Sequence, residues 1–212
     1  MKYSHKTVNL NHPKRIGIDL DNTIIDYSLA YEVIGRQFEF ETELVDRESI
    51  RNHLRLQGDD IEWQRFQSLL YTEGLISAQP ANGVREFFEL CRTSLIEVFI
   101  VSHKTIQTPK LFGARNLRQP AVEWLEEHLF VSNLVDSDHL HFCSTQSEKA
   151  YTINELGCEL FVDDLLEVLM NPELSSEICR VLYVGESTKN VPDREKVVSM
   201  NFDDLRHWLE LC

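Results

Sequence analysis

The chain has 212 residues, 42% of them hydrophobic, which suffices for one full-sized core and a modest insertion but not for two large domains. A formal net charge of -14 and a pI near 5.0 exclude a surface built to grip a nucleic-acid backbone or an anionic membrane, since both need clustered cations. A small phosphorylated ligand is compatible with that balance, because a few local cations and a metal override the overall field.

The opening segment, MKYSHKTVNLNHPKR, has no apolar run and reads as neither a signal peptide nor a membrane anchor. Disorder is expected in its first dozen residues at most. A strand is predicted at Ile16–Leu20. The next, Glu97–Val101, lies more than seventy residues on, where a simple crossover needs far fewer. That interval reads as helices: one from about Ser28, one around Ile50 and Leu54, and one carrying Trp63, Phe66 and Leu70. Gln79-Pro80-Ala81-Asn82-Gly83 is the expected linker back. Residues 28–79 are therefore expected to form a helical insertion, with 1–27 and 80–212 as the core. Its place after a strand's carboxyl end is where a lid over a ligand crevice belongs.

Beyond the insertion, Val84, Phe87, Phe88 and Cys91 form a helical stripe. Val122, Leu125 and Leu129 form another, with Pro120 at the expected first helical position. Leu140–Cys143 is the third predicted strand. Thr145-Gln146-Ser147-Glu148 resembles a capping box that opens a helix ending at Gly157. Strands follow at Leu160–Val162, Val181–Val184 and Val197–Met200. Phe202, Leu205 and Leu209 mark a last helix, with Asn201 as its cap and Asp203 and Asp204 in its first turn. This alternation predicts an α/β fold with a Rossmann-like, doubly wound and mainly parallel sheet. The five cysteines, at 91, 143, 158, 179 and 212, are scattered without a CxxC pair. They argue against a structural zinc site and for a reduced, cytoplasmic protein.

The polar residues at the strand ends carry the chemistry. Asp19-Leu20-Asp21-Asn22-Thr23 closes the first strand, and residues two apart in an extended segment face the same way. Two carboxylates about 4 Å apart repel by about 4 kcal/mol at an effective dielectric near 20. Such a pair implies a metal, a shared proton or a capping role. Ser102 ends the second strand, where a hydroxyl equally suits a turn. Asp163-Asp164 ends the fourth, and adjacent carboxylates behind a buried strand repel unless a cation intervenes. Lys149 falls in or near the first turn of its helix, where the dipole disfavours a cation by ~0.3–1 kcal/mol. It is either a phosphate ligand or a solvated lysine. Each feature alone has a structural explanation, but together they aim at one edge of the sheet.

The ordered set Asp19-x-Asp21-x-Thr23, Ser102, Lys149 and Asp163-Asp164 resembles the four motifs of the haloacid dehalogenase superfamily, of the phosphatase type with a helical C1-type cap. The resemblance covers nearly the whole chain. It implies that Asp19 attacks phosphorus and becomes an aspartyl-phosphate, and that Asp21 protonates the leaving group and then deprotonates water. Thr23 would support the loop and, with Ser102, the adjacent His103 and Lys149, belong to the phosphate-binding set. Asp163 and Asp164, with Asp19 and the Asp21 carbonyl, would hold Mg2+. The interval from Lys149 to Asp163 is short for a capped member and closer to deoxyribonucleotidase-like ones, so Lys104 is the substitute for Lys149. Members that remove halide usually lack the second aspartate, so Asp21 favours phosphate chemistry.

The implied partner is a small phosphorylated metabolite, with no nucleic-acid polymer and no membrane, the protein being a monomer or homodimer. The alternatives are a phosphomutase, phosphotransferase or nucleotidase on the same core, or a non-catalytic binding protein. Arg51, His53, Arg55, Trp63 and Arg65, with His103 and Lys104, are the candidates for reading the substrate. Tyr27 and Tyr31 are either substrate-facing or hinge packing.

Overall fold

A computed structural model describes residues 12–38, 47–58, 60–128, 130, 133–185 and 197–211. Residues 1–11, the 39–46 part of the insertion, Leu129 of the expected stripe and Cys212 lie outside them. The first strand, β1 (Arg15–Ile18), sits at the centre of a parallel sheet with β4 (Glu97–His103), β5 (Leu140–Cys143), β6 (Leu160–Asp163), β7 (Cys179–Tyr183) and β8 (Val197–Met200). The strand order is β5-β4-β1-β6-β7-β8, and every neighbouring pair is parallel. The chain thus winds outward on one side of β1, returns, and winds outward on the other. That reversal opens a crevice at the carboxyl ends of β4, β1 and β6.

Period-two patterning builds the two faces. Ile16, Ile18, Val98, Ile100, Leu160 and Val162 point into one apolar cluster. Helices α4 (Val84–Thr93), α5 (Arg118–Glu127) and α8 (Phe202–Leu211) cover it through Phe87, Trp124 and Leu205. Phe99, Val101 and Phe161 point the other way, under α6 (Gln146–Glu155) and α7 (Leu166–Leu169). Gly17 belongs to that second face, and a Cβ there would lie 2.7 Å from the Phe161 ring. The absent side chain is what lets the ring lie against β1, two residues before Asp19.

A two-stranded antiparallel ribbon frames the insertion: β2 (Ile25–Asp26) pairs with β3 (Gln79–Pro80), Ile25 opposite Pro80 and Asp26 opposite Gln79. Between its arms run α1 (Ser28–Gln37), α2 (Arg47–Gly58) and α3 (Asp60–Leu70). Their apolar sides, with Ile34, Ile50, Leu54, Phe66 and Leu70, are continuous with the first cluster. Trp124 Nε1 donates to Ala78 O at 3.3 Å, and Arg115 pairs with Glu73 at 2.6 Å, so the end of the insertion is tied to the core.

Several boundaries differ from expectation. β1 stops at Ile18, although Asp19 N–H still donates to Val162 O at 2.8 Å. β4 continues through Ser102 and His103, because β5 offers Phe142 and Cys143 as partners. α5 starts at Arg118, so Pro120 is third rather than first; it remains within the turn whose N–H groups have no helical acceptor. Asn201 caps α8 as expected, its Oδ1 accepting from Asp204 N–H at 2.8 Å. Gly157 adopts φ +64 after α6, a left-handed stop that suits glycine. Cys91, Cys143, Cys158 and Cys179 are free thiols. Among the described residues, no helix is long and apolar enough to cross a membrane.

Candidate active site

Three neighbouring strands and one helix deliver the site. β1 presents Asp19, β4 ends beside it in Ser102 and His103, and β6 presents Asp163 and Asp164 on the other side. α6 supplies Lys149. Thr145 Oγ1 accepts from Glu148 N–H at 3.0 Å and Glu148 Oε2 accepts from Ser144 N–H at 2.7 Å, so the expected capping residues do open this helix. The Glu148 side chain reaches Ser144 rather than Thr145.

Lys149 is 2% exposed, with its ammonium 2.5 Å from Asp19 Oδ1 and 2.7 Å from Asp163 Oδ2. It is the cation that the buried acidic turn requires, and no solvated lysine. Asp163 Oδ1 also accepts from Leu165 N–H at 2.8 Å. Asp163 therefore both caps a turn and faces a cation. Lys104, the substitute, is also buried, but its Nζ lies 2.8 Å from Asp21 Oδ2 and 4.3 Å from the Tyr71 ring centroid. The two lysines thus serve different carboxylates. Tyr27 O–H donates to Asp21 Oδ1 at 2.7 Å and Tyr31 O–H to Asn22 Oδ1 at 2.8 Å. Both tyrosines are buried and brace the first-motif loop, in which Asn22 takes φ +62, a left-handed conformation that asparagine tolerates.

A cavity of about 290 Å3 opens over these groups. Asp19, Asp21, His103, Lys104, Lys149, Asp163 and Asp164 line it from the core side. Ser102 and Thr23 are buried beneath, and the Oγ of each lacks a hydrogen-bond partner. His103 is exposed, its Nε2 donating to Ser144 O at 3.2 Å. From the insertion come Arg47, Gln64, Gln67, Ser68 and Tyr71, none of them among the expected substrate readers. Arg55 instead pairs with Asp60, Arg65 with Glu62, and Trp63 stacks on Phe66. Arg51 and His53 do not reach the cavity either. The missed signal was a neutral polar stripe: Gln64, Gln67, Ser68 and Tyr71 recur at helical spacing beside the apolar stripe of Trp63, Phe66 and Leu70.

Charge decides what such a site can hold. Asp19, Asp21, Asp163 and Asp164 face Lys104, Lys149 and Arg47, which leaves one negative charge when all are ionised. Burial, opposed by Lys149 and reinforced by Asp163 and Asp21, pushes the Asp19 carboxyl up to about 7. Burial and then Asp163 and Asp19 raise Asp164 well above its ordinary range. Burial opposes the charge on Lys149, but Asp163 and Asp19 outweigh it and hold the ammonium protonated. Asp19, Asp163 and Asp164 each offer a carboxylate oxygen, all within 4.8 Å of one another. A hard, all-oxygen donor set of that kind fits a divalent cation such as Mg2+. The Asp21 carboxylate stands outside this group, so a metal role for Asp21 falls to its backbone carbonyl.

A pH dependence follows. Between the ordinary aspartate value of 3.8 and about 7, the folded state holds a proton on Asp19 that the unfolded state has released. The contribution of Asp19 to metal-free stability is therefore present at low pH and lost as pH rises through 7. A cation that needs the ionised carboxylate acts oppositely, adding roughly 2.7 kcal/mol at a hundredfold excess over its Kd. The melting-temperature rise on adding Mg2+ should be larger at pH 8 than at pH 5, and sodium chloride of equal ionic strength should not reproduce it. A rise that is equal at the two pH values would separate metal binding from this cluster.

Solved structures share this fold along most of the chain, several of them hydrolases of the haloacid dehalogenase class. A haloacid dehalogenase-like family hydrolase from Streptococcus pneumoniae matches at 14% identity with a TM-score of 0.60, covering 92% of this chain and 97% of that one. A haloacid dehalogenase family hydrolase from Deinococcus radiodurans R1, described with bound phosphate and sodium, matches at 11% identity and a TM-score of 0.56, covering 95% and 97%. Protein tyrosine kinase A of Mycobacterium tuberculosis matches at 15% identity and a TM-score of 0.61, covering 93% and 98%. No protein-family model and no curated protein sequence matches the chain.

Proposed function

We propose that the protein is a Mg2+-dependent phosphatase that hydrolyses a small phosphate monoester through an aspartyl-phosphate on Asp19. The observation that carries this is the buried Lys149 ammonium bridging Asp19 and Asp163 at the switch point, with Asp21 two residues further on. An Asp19 oxygen attacks phosphorus, the ester P–O bond breaks, and Asp21 gives its proton to the departing alkoxide. Asp21 then takes a proton from water, whose oxygen attacks phosphorus and releases inorganic phosphate and the Asp19 carboxylate. Lys149 and the partnerless Ser102 hydroxyl hold phosphoryl oxygens, and Tyr27 and Lys104 hold Asp21 in place. Asp19, Asp163, Asp164 and the Asp21 carbonyl would hold Mg2+, which would supply positive charge against the transferring group.

The insertion serves as the cap that selects the leaving group, and the free thiols suit a reducing cytoplasm. The test is hydrolysis of 4-nitrophenyl phosphate with and without Mg2+. Metal-dependent release of inorganic phosphate is expected. No turnover with any divalent ion would sink the reading, while appearance of the phosphate on an added alcohol would make the protein a transferase.

A further inference from the structure

Three cations line the cavity among the described residues, and they are not equally engaged. Lys149 is held by two carboxylates and Lys104 by one carboxylate and a ring. Among the described residues Arg47, at the start of α2, makes one long ion pair, Nη1 to Asp164 Oδ2 at 3.5 Å, and its buried Nε has no hydrogen-bond partner. A guanidinium carries five donors in a rigid fork, and leaving its buried Nε unmet is costly. The other described residues of the insertion that line the cavity, Gln64, Gln67, Ser68 and Tyr71, are neutral, so none of them repels an anion. A divalent ion that took up Asp164 would weaken even the existing contact.

We propose that Arg47 is a specificity residue that receives a second oxyanion of the substrate, on the leaving-group side of the phosphate monoester. The inference rests on the phosphatase reading only in placing the first phosphate at Asp19. The cavity, about 290 Å3, lies at the small end of ligand sites, which suits a compact metabolite with its two charged groups a few bonds apart. The amides and hydroxyls of α3 would bind whatever hydroxyls lie between them.

The test uses three-carbon phosphates that differ at the far end: glycerol 3-phosphate ends in a hydroxyl, 3-phosphoglycerate in a carboxylate, and propane-1,3-diol bisphosphate in a phosphate. Binding is measured by calorimetry with Mg2+ in the Asp19→Asn background, so that no turnover is needed. At least one oxyanion-bearing member should bind about tenfold or more tightly than the alcohol, and the better of the two identifies the group. Arg47→Gln should bring that ratio close to one. Arg47→Lys, which keeps the charge but not the fork, should retain part of it and serves if the glutamine variant does not fold. Loss of the Asp164 contact would weaken all three ligands alike, so the ratio isolates the recognition role. A ratio near one in the parent, no binding of any member, or a full ratio surviving in the variants would overturn the assignment. Turnover of 4-nitrophenyl phosphate by the protein with Asp19 intact reports separately on the phosphatase reading.

Discussion

Asp19→Asn should fold normally and lose at least ~10³-fold in turnover of aryl phosphates, the scale seen when a nucleophile is removed. An amide cannot form the acyl phosphate, and asparagine preserves the shape of a side chain that packs at the end of β1. Lys149 keeps Asp163 as its partner in the variant, so the ammonium is not stranded. The measurement is steady-state release of nitrophenolate at saturating Mg2+, with circular dichroism confirming the fold. A variant turning over near the wild-type rate would make Asp19 a structural residue and transfer the chemistry elsewhere.

Lys149→Met should have the largest effect on stability. The ammonium is the counter-charge for Asp19 and Asp163, which are 6% and 1% exposed. Removing one partner of a buried charge network typically costs about 3–5 kcal/mol, because the remaining charges stay desolvated. In metal-free protein at pH 7, urea denaturation should show a loss of that size. The defect should shrink at pH 5, below the value of about 7 to which burial pushes Asp19, and shrink again if Mg2+ supplies the lost positive charge. Activity should remain low in either condition, since methionine cannot hold phosphoryl oxygens as the ammonium would. A loss below about 1 kcal/mol at pH 7 would mean that the ammonium is not the counter-charge on which the folded site depends.

Much of the architecture could be read from the chain because period-two runs such as Ile16–Ile18 and Val98–Val101 distinguish the two sheet faces locally. Strand register could not, since it depends on which partner lies alongside: β4 extends to His103 because β5 happens to reach that far. The same division holds at the site. Asp19, Asp21, Lys149 and Asp163-Asp164 announce themselves by spacing and by position at element ends. Lys104 was visible only as a stand-in for Lys149, whereas folding gives it a carboxylate of its own. Arg47 left no local trace. It follows the 39–46 segment and meets Asp164 more than a hundred residues away, a pairing that no periodicity encodes. The short α7 was missed because one helical turn, Leu166–Leu169, carries too few residues to show a stripe.

The ribbon of β2 and β3 has a consequence for how such a chain can diverge. Because Ile25 faces Pro80 and Asp26 faces Gln79, everything from residue 27 to residue 78 departs from and returns to nearly the same point. The closure entropy of a segment with fixed ends rises only logarithmically, roughly 0.6 kcal/mol for each doubling of its length. The strands that carry the carboxylates are therefore almost indifferent to how long the excursion is, provided the ribbon closes and the apolar side of the new segment covers the same core. Lengthening, trimming or exchanging it is cheap for folding yet rewrites the wall of the cavity that carries Arg47, Gln64 and Gln67. Reaction and recognition can thus drift at different rates within one polypeptide.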